Sequence, residues 1–369
     1  MTASRRTGTT DWHTSARRCR RVATIVALAV MATACSDEEP DAGPATGSLD
    51  TPSSDGGGEI TVPDGFEVSV LADGFEGPTQ IADGGDGSLV VAQLNGGESD
   101  ASGQVLRVPV ADPDERVVLF DNLAKPTGVV QVGDEVWVME QRRLSRGPTT
   151  GAELIVEQDD LPFNGRSEGT LSIDPDERVL YDTSGSIDGT EAAAGSGALW
   201  AIESGGEPQR IASGFKHAYA RTYDADGTLW ETELSDGSYD GEPAPDELVA
   251  VAEGDDFGWP QCIGDGTPVE LYGGTAERCE SAPPSHALFE PGATPTSVAV
   301  APWDPDVLLV ALWNQGEVVA IDRTATELPV EPTTFLTGID NPQHLLVLGD
   351  RLLLTDFSGG SILEISATG

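Results

Sequence analysis

The side chains best suited to proton transfer or anion binding are rare in this 369-residue chain, and most of them fall at similar places in it. The only two lysines are Lys125 and Lys216, and Lys216 is followed at once by His217. Arg166 and His344 lie in comparable short polar stretches, each of which precedes an apolar run. A histidine can act as a general base near neutral pH, and clustered cations can bind an anionic ligand. The alternative is that each cation pairs with one of the many neighbouring carboxylates.

Acidic residues dominate the composition. Asp and Glu number 63 against 20 Lys and Arg, which gives a formal net charge of −43. Such a field repels nucleic-acid phosphates and anionic lipid surfaces. The composition therefore excludes a nucleic-acid binder and a polybasic membrane-surface protein, and we expect a monomer that binds a small molecule.

From Ile60 onward one pattern of short apolar strands and acidic glycine turns occurs six times. Turns such as Asp86-Gly87 and Asp226-Gly227 favour tight hairpins, so each copy predicts three or four antiparallel strands. One such sheet cannot bury both of its faces, whereas six sheets around an axis can, and the closed ring also protects their edges. The prediction is an all-β, six-bladed β-propeller over residues 60–369, and an open stack of β-units is the alternative.

In a propeller, the loops that lead into the innermost strands surround one mouth of the central channel. From their place in the repeat, these mouth loops are residues 77–80, 125–127, 164–168, 216–217, 294–296 and 341–344. They contain both lysines, Arg166, His217 and His344. The repeat therefore predicts that the scarce cations and histidines converge at this mouth.

Residues 253–290 do not fit the repeat, which predicts an insertion between blades 4 and 5. They contain Cys262 and Cys279, the pair that remains when Cys19 and Cys35 are assigned to the N-terminal segment. In an oxidising compartment one remaining pair most simply forms a disulfide. A zinc site is less favoured because the two thiols lack partners with zinc-ligand spacing.

The N-terminal segment has the pattern of an export signal. Residues 1–34 combine an arginine-rich start with an apolar run that is too short to span a membrane, and small residues precede Cys35. This resembles a bacterial lipoprotein signal, which predicts that Cys35 carries the lipid and that the protein is extracytoplasmic and anchored to the cell membrane. The alternative is ordinary cleavage near Ala34 and secretion. Residues 35–59 are predicted to form a flexible acidic tether.

Four segments carry a more specific resemblance. Residues 245–249 read Pro-Asp-Glu-Leu-Val, and residues 254–260 read Gly-Asp-Asp-Phe-Gly-Trp-Pro. Residues 214–217 (Gly-Phe-Lys-His) and 161–166 (Leu-Pro-Phe-Asn-Gly-Arg) add two further matches. Together they resemble the soluble glucose/sorbosone dehydrogenases, propeller quinoproteins that oxidise sugars with pyrroloquinoline quinone (PQQ) and calcium. The resemblance extends over residues 62–366, and Cys262 after the Trp-Pro is similar to the sorbosone branch.

The resemblance implies roles for particular residues. The expected PQQ contacts are Lys125, Arg166, Lys216, His217 and Gln343. Asp246 and Glu247 mark the expected calcium site, and the acidic residues of 235–242 could hold calcium or form a solvated loop. The implied substrate is a sugar or polyol.

The chain departs from the family at the position of the general base. The family has a histidine there, whereas this chain has Arg166, and an arginine stays protonated at physiological pH. Two hypotheses follow. The chain is an oxidoreductase with a replacement base, His344 or His217, or it is a non-catalytic propeller that binds an anionic or sugar-like ligand.

Overall fold

Six antiparallel sheets surround a central channel in the computed structural model, which describes residues 47–49, 59–96, 101–162, 169–235, 238–239, 242–264 and 266–368. The innermost strands of neighbouring sheets contact one another around the whole ring. This confirms the six-bladed propeller that the repeat predicts.

Four strands form the basic unit of each blade and are ordered here from the channel outward. Those of blades 1, 2 and 3 are Pro78–Asp83, Ser88–Gln93, Gly103–Pro109 and Val117–Leu123; Gly128–Val132, Glu135–Glu140, Arg143–Pro148 and Ile155–Gln158; and Ser172–Ile173, Val179–Thr183, Ala198–Ile202 and Gln209–Ser213. Those of blades 4, 5 and 6 are Ala218–Tyr223, Leu229–Glu233, Asp246–Val251 and Ala287–Phe289; Pro295–Val300, Val307–Leu312, Glu317–Asp322 and Thr333–Thr337; and Pro342–Leu348, Arg351–Asp356, Ser361–Ala367 and Phe66–Ala72.

The remaining elements are short. Three hairpins pair Ile187–Asp188 with Glu191–Ala192, Ser238–Tyr239 with Glu242–Pro243, and Cys262–Ile263 with Thr267–Pro268. The helical turns are Pro113–Glu115, Glu270–Tyr272 and Ala276–Cys279. Within the described ranges, no helix has the length and apolar character needed to cross a membrane.

The core lies between the faces of adjacent blades. One apolar cluster packs Leu353 and Ile362 of blade 6 against Ile81 and Val91 of blade 1. All six residues of the second strand of blade 1 are buried, while Val117 in the outermost strand of that blade is 57% exposed. Each sheet thus buries both faces against its neighbours, which is why one copy of the repeat could not fold alone.

The ring is closed by strands from the start of the repeat region. Phe66–Ala72 pairs with Ser361–Ala367 and completes blade 6. Ile60–Val62 adds a fifth strand to blade 5 beside Thr333–Thr337, and Gly47–Leu49 pairs in turn with Ile60–Val62. The two ends of the repeat region are therefore joined by backbone hydrogen bonds.

The insertion differs from the prediction in its place. Ala287–Phe289 pairs with Asp246–Val251 as the outermost strand of blade 4, so the extra residues lie inside blade 4 and not between blades 4 and 5. Phe257 stacks on Phe215 at a centroid distance of 4.5 Å, and the backbone N–H of Trp259 donates to the Gly214 carbonyl. The glycine- and tryptophan-containing motif therefore supports the mouth loop that carries Lys216 and His217.

The predicted disulfide is present, and it joins Cys262 to Cys279 across 17 positions of sequence. Replacing both cysteines with serine is expected to lower the free energy of unfolding by about 3 kcal/mol, because the bond removes loop entropy from the unfolded chain. Urea unfolding of the two proteins without reductant measures this difference. Two alkylatable thiols within residues 36–369 of the wild-type protein, detected by mass spectrometry, would contradict the assignment.

Candidate active site

The mouth loops share a backbone feature that fixes their direction. In blades 1, 2, 5 and 6 a residue with positive φ directly precedes the proline: Gly77 (63°), Lys125 (51°), Thr294 (61°) and Asn341 (68°). Side chains with a Cβ rarely adopt this conformation, and such strain concentrates at functional sites. Threonines then tie adjacent loops together, since Thr79 Oγ1 donates to the Pro126 carbonyl at 2.8 Å and Thr296 Oγ1 to that of Pro342 at 2.9 Å.

Both lysine loops are held by a buried glutamate at the end of a second strand. Glu140 Oε2 accepts the Ala124 N–H at 2.8 Å, and Glu233 Oε1 accepts the Lys216 N–H at 2.6 Å. Burial raises the pKa of Glu140 and raises that of Glu233 to about 7. These carboxylates therefore set the positions of Lys125 and Lys216 in the mouth.

The charge of Lys216 is opposed by nearby acids. Burial raises the pKa values of Glu233 and Asp246, and in both cases the Lys216 ammonium acts in the opposite direction. Glu247 also lines the small pocket that Lys216 and Glu233 share. The geometry therefore favours pairing of Lys216 with neighbouring carboxylates over binding of an anionic ligand.

His217 lies against an aspartate that sequence analysis did not identify. Its Nε2 is 3.7 Å from Asp182 Oδ2, and both side chains are buried. Its ring meets that of Tyr219 edge-on at 5.3 Å, and the Tyr219 hydroxyl accepts a hydrogen bond from Gln343 Nε2 at 2.8 Å. The mouth thus brings His217, Asp182, Tyr219 and Gln343 together from blades 3, 4 and 6.

Asp182 is fixed by the loop that precedes blade 3. The Gly169 N–H donates to Asp182 Oδ1 at 2.8 Å. A Cβ on Gly169 would lie 2.1 Å from the Tyr219 carbonyl oxygen, so only glycine allows this close approach. Burial raises the pKa of Asp182 to about 6, although the Arg221 guanidinium and the Gly169 N–H both act to lower it.

His344 lies deeper than the sequence predicts. It belongs to the innermost strand of blade 6. With Arg221 and Gln80 it lines a cavity of about 670 Å³, which the innermost strands form on the side away from the mouth loops. Its Nδ1 has no hydrogen-bond partner among the described residues. Burial lowers the pKa of His344 to about 3, so its ring is neutral at physiological pH.

The predicted metal residues are engaged within the protein. Asp246 Oδ1 accepts hydrogen bonds from the Ser235 N–H and hydroxyl at 2.6 and 2.9 Å, and Oδ2 accepts the Thr294 N–H at 2.7 Å. Glu247 accepts the hydroxyl hydrogen of Ser285. In the described ranges, His, Cys, Asp and Glu form no group of three or more that could hold a metal ion. The calcium site predicted at Asp246 and Glu247 stays a prediction.

Several predicted site residues fall outside the described ranges. Arg166 and Cys35 are among them, as are residues 236–237 and 240–241 of the acidic segment. Their predicted roles stay predictions.

The residues that sequence analysis missed share a position in the repeat. Gln93, Glu140 and Glu233 each end the second strand of a blade, and each accepts an N–H from the start of the adjoining mouth loop or from the residue before it. Asp182 is one residue earlier in its strand and does the same. A polar residue at the end of an otherwise apolar second strand was the available signal.

The fold and the mouth define a six-bladed propeller with a buried histidine–aspartate pair at one end of its channel. The chain has the fold of soluble aldose sugar and glucose dehydrogenases. It is similar to the PQQ-bound aldose sugar dehydrogenase from Streptomyces coelicolor, with a TM-score of 0.65 and 19% identity over 83% of this chain and 99% of that one. It is also similar to the PQQ domain of pyranose dehydrogenase from Coprinopsis cinerea, with a TM-score of 0.66 and 15% identity over 83% and 97% of the chains.

The soluble aldose sugar dehydrogenase from Escherichia coli has the same fold, with a TM-score of 0.61 and 14% identity over 82% of this chain and 99% of that chain. No family model and no curated relative matches the sequence.

Proposed function

We propose that this chain is an exported, lipid-anchored sugar dehydrogenase that oxidises an uncharged sugar or polyol with PQQ. The fold shared with sugar dehydrogenases supports the reaction class, and two of the similar structures carry PQQ in their names. The single observation that carries the proposal is the His217–Asp182 pair at the channel mouth. An imidazole beside a carboxylate is a common general-base arrangement.

The proposed roles follow from the geometry. His217 accepts the proton of the sugar hydroxyl that is oxidised, and Asp182 stabilises the imidazolium that forms. Lys125 and Gln343, a cation and an amide at the mouth, are suitable donors for a ligand rich in carboxylates and carbonyls, and they would hold PQQ. When bound, PQQ supplies the hydride acceptor for the sugar carbon. No step is assigned to calcium.

The charge of the mouth favours an uncharged substrate. Lys216, one of its two lysines, is opposed by Glu233 and Asp246, so little positive field remains for an anionic substrate in addition to the quinone. Sugars and polyols bind through many neutral hydrogen bonds, for which amide, carboxyl and phenol groups suffice. The non-catalytic alternative rests on Arg166, which cannot accept a proton.

The purified chain, loaded with PQQ and mixed with aldoses and polyols, tests the proposal through reduction of an artificial electron-accepting dye. We expect dye reduction that requires both PQQ and the sugar. Sugar binding without any dye reduction would favour the non-catalytic alternative. Absence of both sugar binding and dye reduction would refute the proposal.

The anchor is tested separately. If Cys35 carries lipid, the wild-type protein is expected to enter the detergent phase almost completely, while Cys35→Ala stays in the aqueous phase, because acyl chains dominate partitioning. Detergent phase separation followed by immunoblotting measures the two fractions. Cys19→Ala is the matched control and is expected to behave like the wild-type protein. Equal partitioning of wild type and Cys35→Ala would retire the lipid anchor.

A further inference from the structure

The cavity of about 670 Å³ at the end of the channel away from the mouth loops, here called the far-end cavity, is lined by residues from the innermost strands of all six blades. Neither His217 nor Asp182 lines it, so it is separate from the proposed sugar site. Small-molecule sites in proteins usually have volumes of about 300 to 1,000 Å³, and most of their lining is apolar. The far-end cavity has the size of such a site.

Apolar side chains are exposed on opposite walls of the far-end cavity. Ile173 of blade 3 and Val347 of blade 6 both line it, and each side chain is 38% exposed. Blades 3 and 6 are three positions apart in the ring of six, so these two residues stand across the channel from each other. Exposed apolar surface in a concave place is typical of a site that binds a ligand.

The charged groups of the lining favour an uncharged ligand. Arg221 is completely buried, and its five N–H donors already reach Glu231 and four backbone carbonyls. An anion would therefore find no free donor on this guanidinium, and the net charge of −43 would repel it. Asp83, the carboxylate of the lining, is exposed, and its Oδ1 accepts the Gly85 N–H at 2.8 Å. A solvent-exposed carboxylate adds little to the binding of a cation.

Two polar residues on the same opposite walls carry buried atoms that have no hydrogen-bond partner in the described part of the chain. These atoms are Ser172 Oγ of blade 3 and His344 Nδ1 of blade 6. Most buried polar atoms are hydrogen-bonded, and an unsatisfied one costs stability. The Gln80 amide, which also lines the cavity, has its partners, since it donates to the Leu171 carbonyl and accepts the Val129 N–H. Ser172 and His344 therefore offer hydrogen bonds that the protein itself does not use.

We propose that the far-end cavity binds an uncharged, largely apolar ring compound, with its rings between Ile173 and Val347 and a hydrogen-bonding group at Ser172 and His344. This site takes no part in the oxidation of the sugar at the mouth. A chain that binds such a compound but oxidises no sugar would refute the proposed function and leave this inference standing.

Fluorescence titration of the purified chain with Nile red tests the proposal. Nile red is an uncharged dye of fused rings with a carbonyl group, and its emission rises in apolar surroundings. We expect saturable binding of one dye per chain. The anionic dye 8-anilinonaphthalene-1-sulfonate is the matched ligand, and it is expected to bind about tenfold more weakly or worse, because its charge finds no partner in the cavity. Absence of saturable Nile red binding, or equal affinity for the two dyes, would overturn the proposal.

An added charge on the cavity wall locates the bound dye. Val347→Asp is expected to weaken Nile red binding about tenfold or more, because the dye would have to desolvate the new carboxylate. Val117→Asp is the matched control, since Val117 is 57% exposed in the outermost strand of blade 1 and does not line the cavity. It is expected to bind Nile red like the wild-type protein. Equal losses in the two variants would place the dye elsewhere and overturn the proposal.

A second pair of variants tests the hydrogen-bonding group. Ser172→Ala is expected to weaken Nile red binding about two- to tenfold, the usual worth of one hydrogen bond. Ser145→Ala is the matched control, because its hydroxyl is also buried without a partner among the described residues but lies in the third strand of blade 2, outside the cavity. Its affinity is expected to stay at the wild-type value. Unchanged affinity in Ser172→Ala would overturn the hydrogen bond assigned to this residue.

Discussion

Replacing His217 with alanine is expected to lower the PQQ-dependent rate of sugar oxidation by about 100- to 10,000-fold, the usual contribution of a general base. The reason is the position of its ring in the mouth, 3.7 Å from the Asp182 carboxylate that would stabilise the imidazolium. The loss should appear in kcat more than in KM, because proton transfer belongs to the chemical step. Steady-state kinetics at saturating PQQ measure both constants.

His344→Ala is the matched control. His344 lies in the channel cavity beside Arg221 and Gln80, apart from the pair that His217 forms. The kcat of His344→Ala is expected to stay within about twofold of the wild-type value, since no proposed step depends on His344. The reverse ranking, a large loss for His344→Ala and none for His217→Ala, would give the role of base to His344.

Asp246→Ala is expected to lower the free energy of unfolding by about 4 kcal/mol, because it leaves the backbone N–H groups of Ser235 and Thr294 without their acceptor, while the Ser235 hydroxyl keeps the Ala244 carbonyl at 2.7 Å. The donors to Asp246 come from Ser235 in blade 4 and from Thr294 in the mouth loop of blade 5, so the carboxylate links the two blades. Urea unfolding with calcium and with a chelator measures the loss, which should be the same under both conditions.

Glu247→Gln is the neighbouring control for this prediction. The amide keeps the volume of Glu247 and can still accept the Ser285 hydroxyl, so the expected loss is below about 1 kcal/mol. If calcium instead stabilises the wild-type protein strongly and Asp246→Ala removes that effect, Asp246 is a metal ligand and the structural role assigned to it is wrong.

The blade architecture could be predicted because each copy of the repeat carries its own turns and apolar strands. The closure of the ring could not be predicted, because the pairing of Phe66–Ala72 with Ser361–Ala367 joins residues about 300 positions apart and has no local signal. The sequence predicts the insertion of residues 253–290 between blades 4 and 5, and this error has a similar reason. Ala287–Phe289 is only three residues long, too short to be recognised as the outermost strand of blade 4.

The candidate site was predicted in part. The repeat indicates which loops form the mouth, and Lys125, Lys216 and His217 lie there. The depth of His344 depends on where the innermost strand begins, and that strand starts at Pro342, before the histidine. Asp182 and Arg221 come from adjacent blades, and their contact with each other depends on how those blades pack. Pairings of this kind are long-range and leave no spacing in the sequence.

The most direct test of the account is a calorimetric titration of PQQ into the purified chain carrying Cys35→Ala, with and without calcium. The account predicts saturable binding at one site per chain, weakened when Lys125 is replaced by alanine, because that lysine is assigned to the carboxylates of the quinone. It also predicts that the titrated protein oxidises an added sugar. Absence of a saturable heat signal under both conditions would contradict the assignment of this propeller as a PQQ-dependent sugar dehydrogenase.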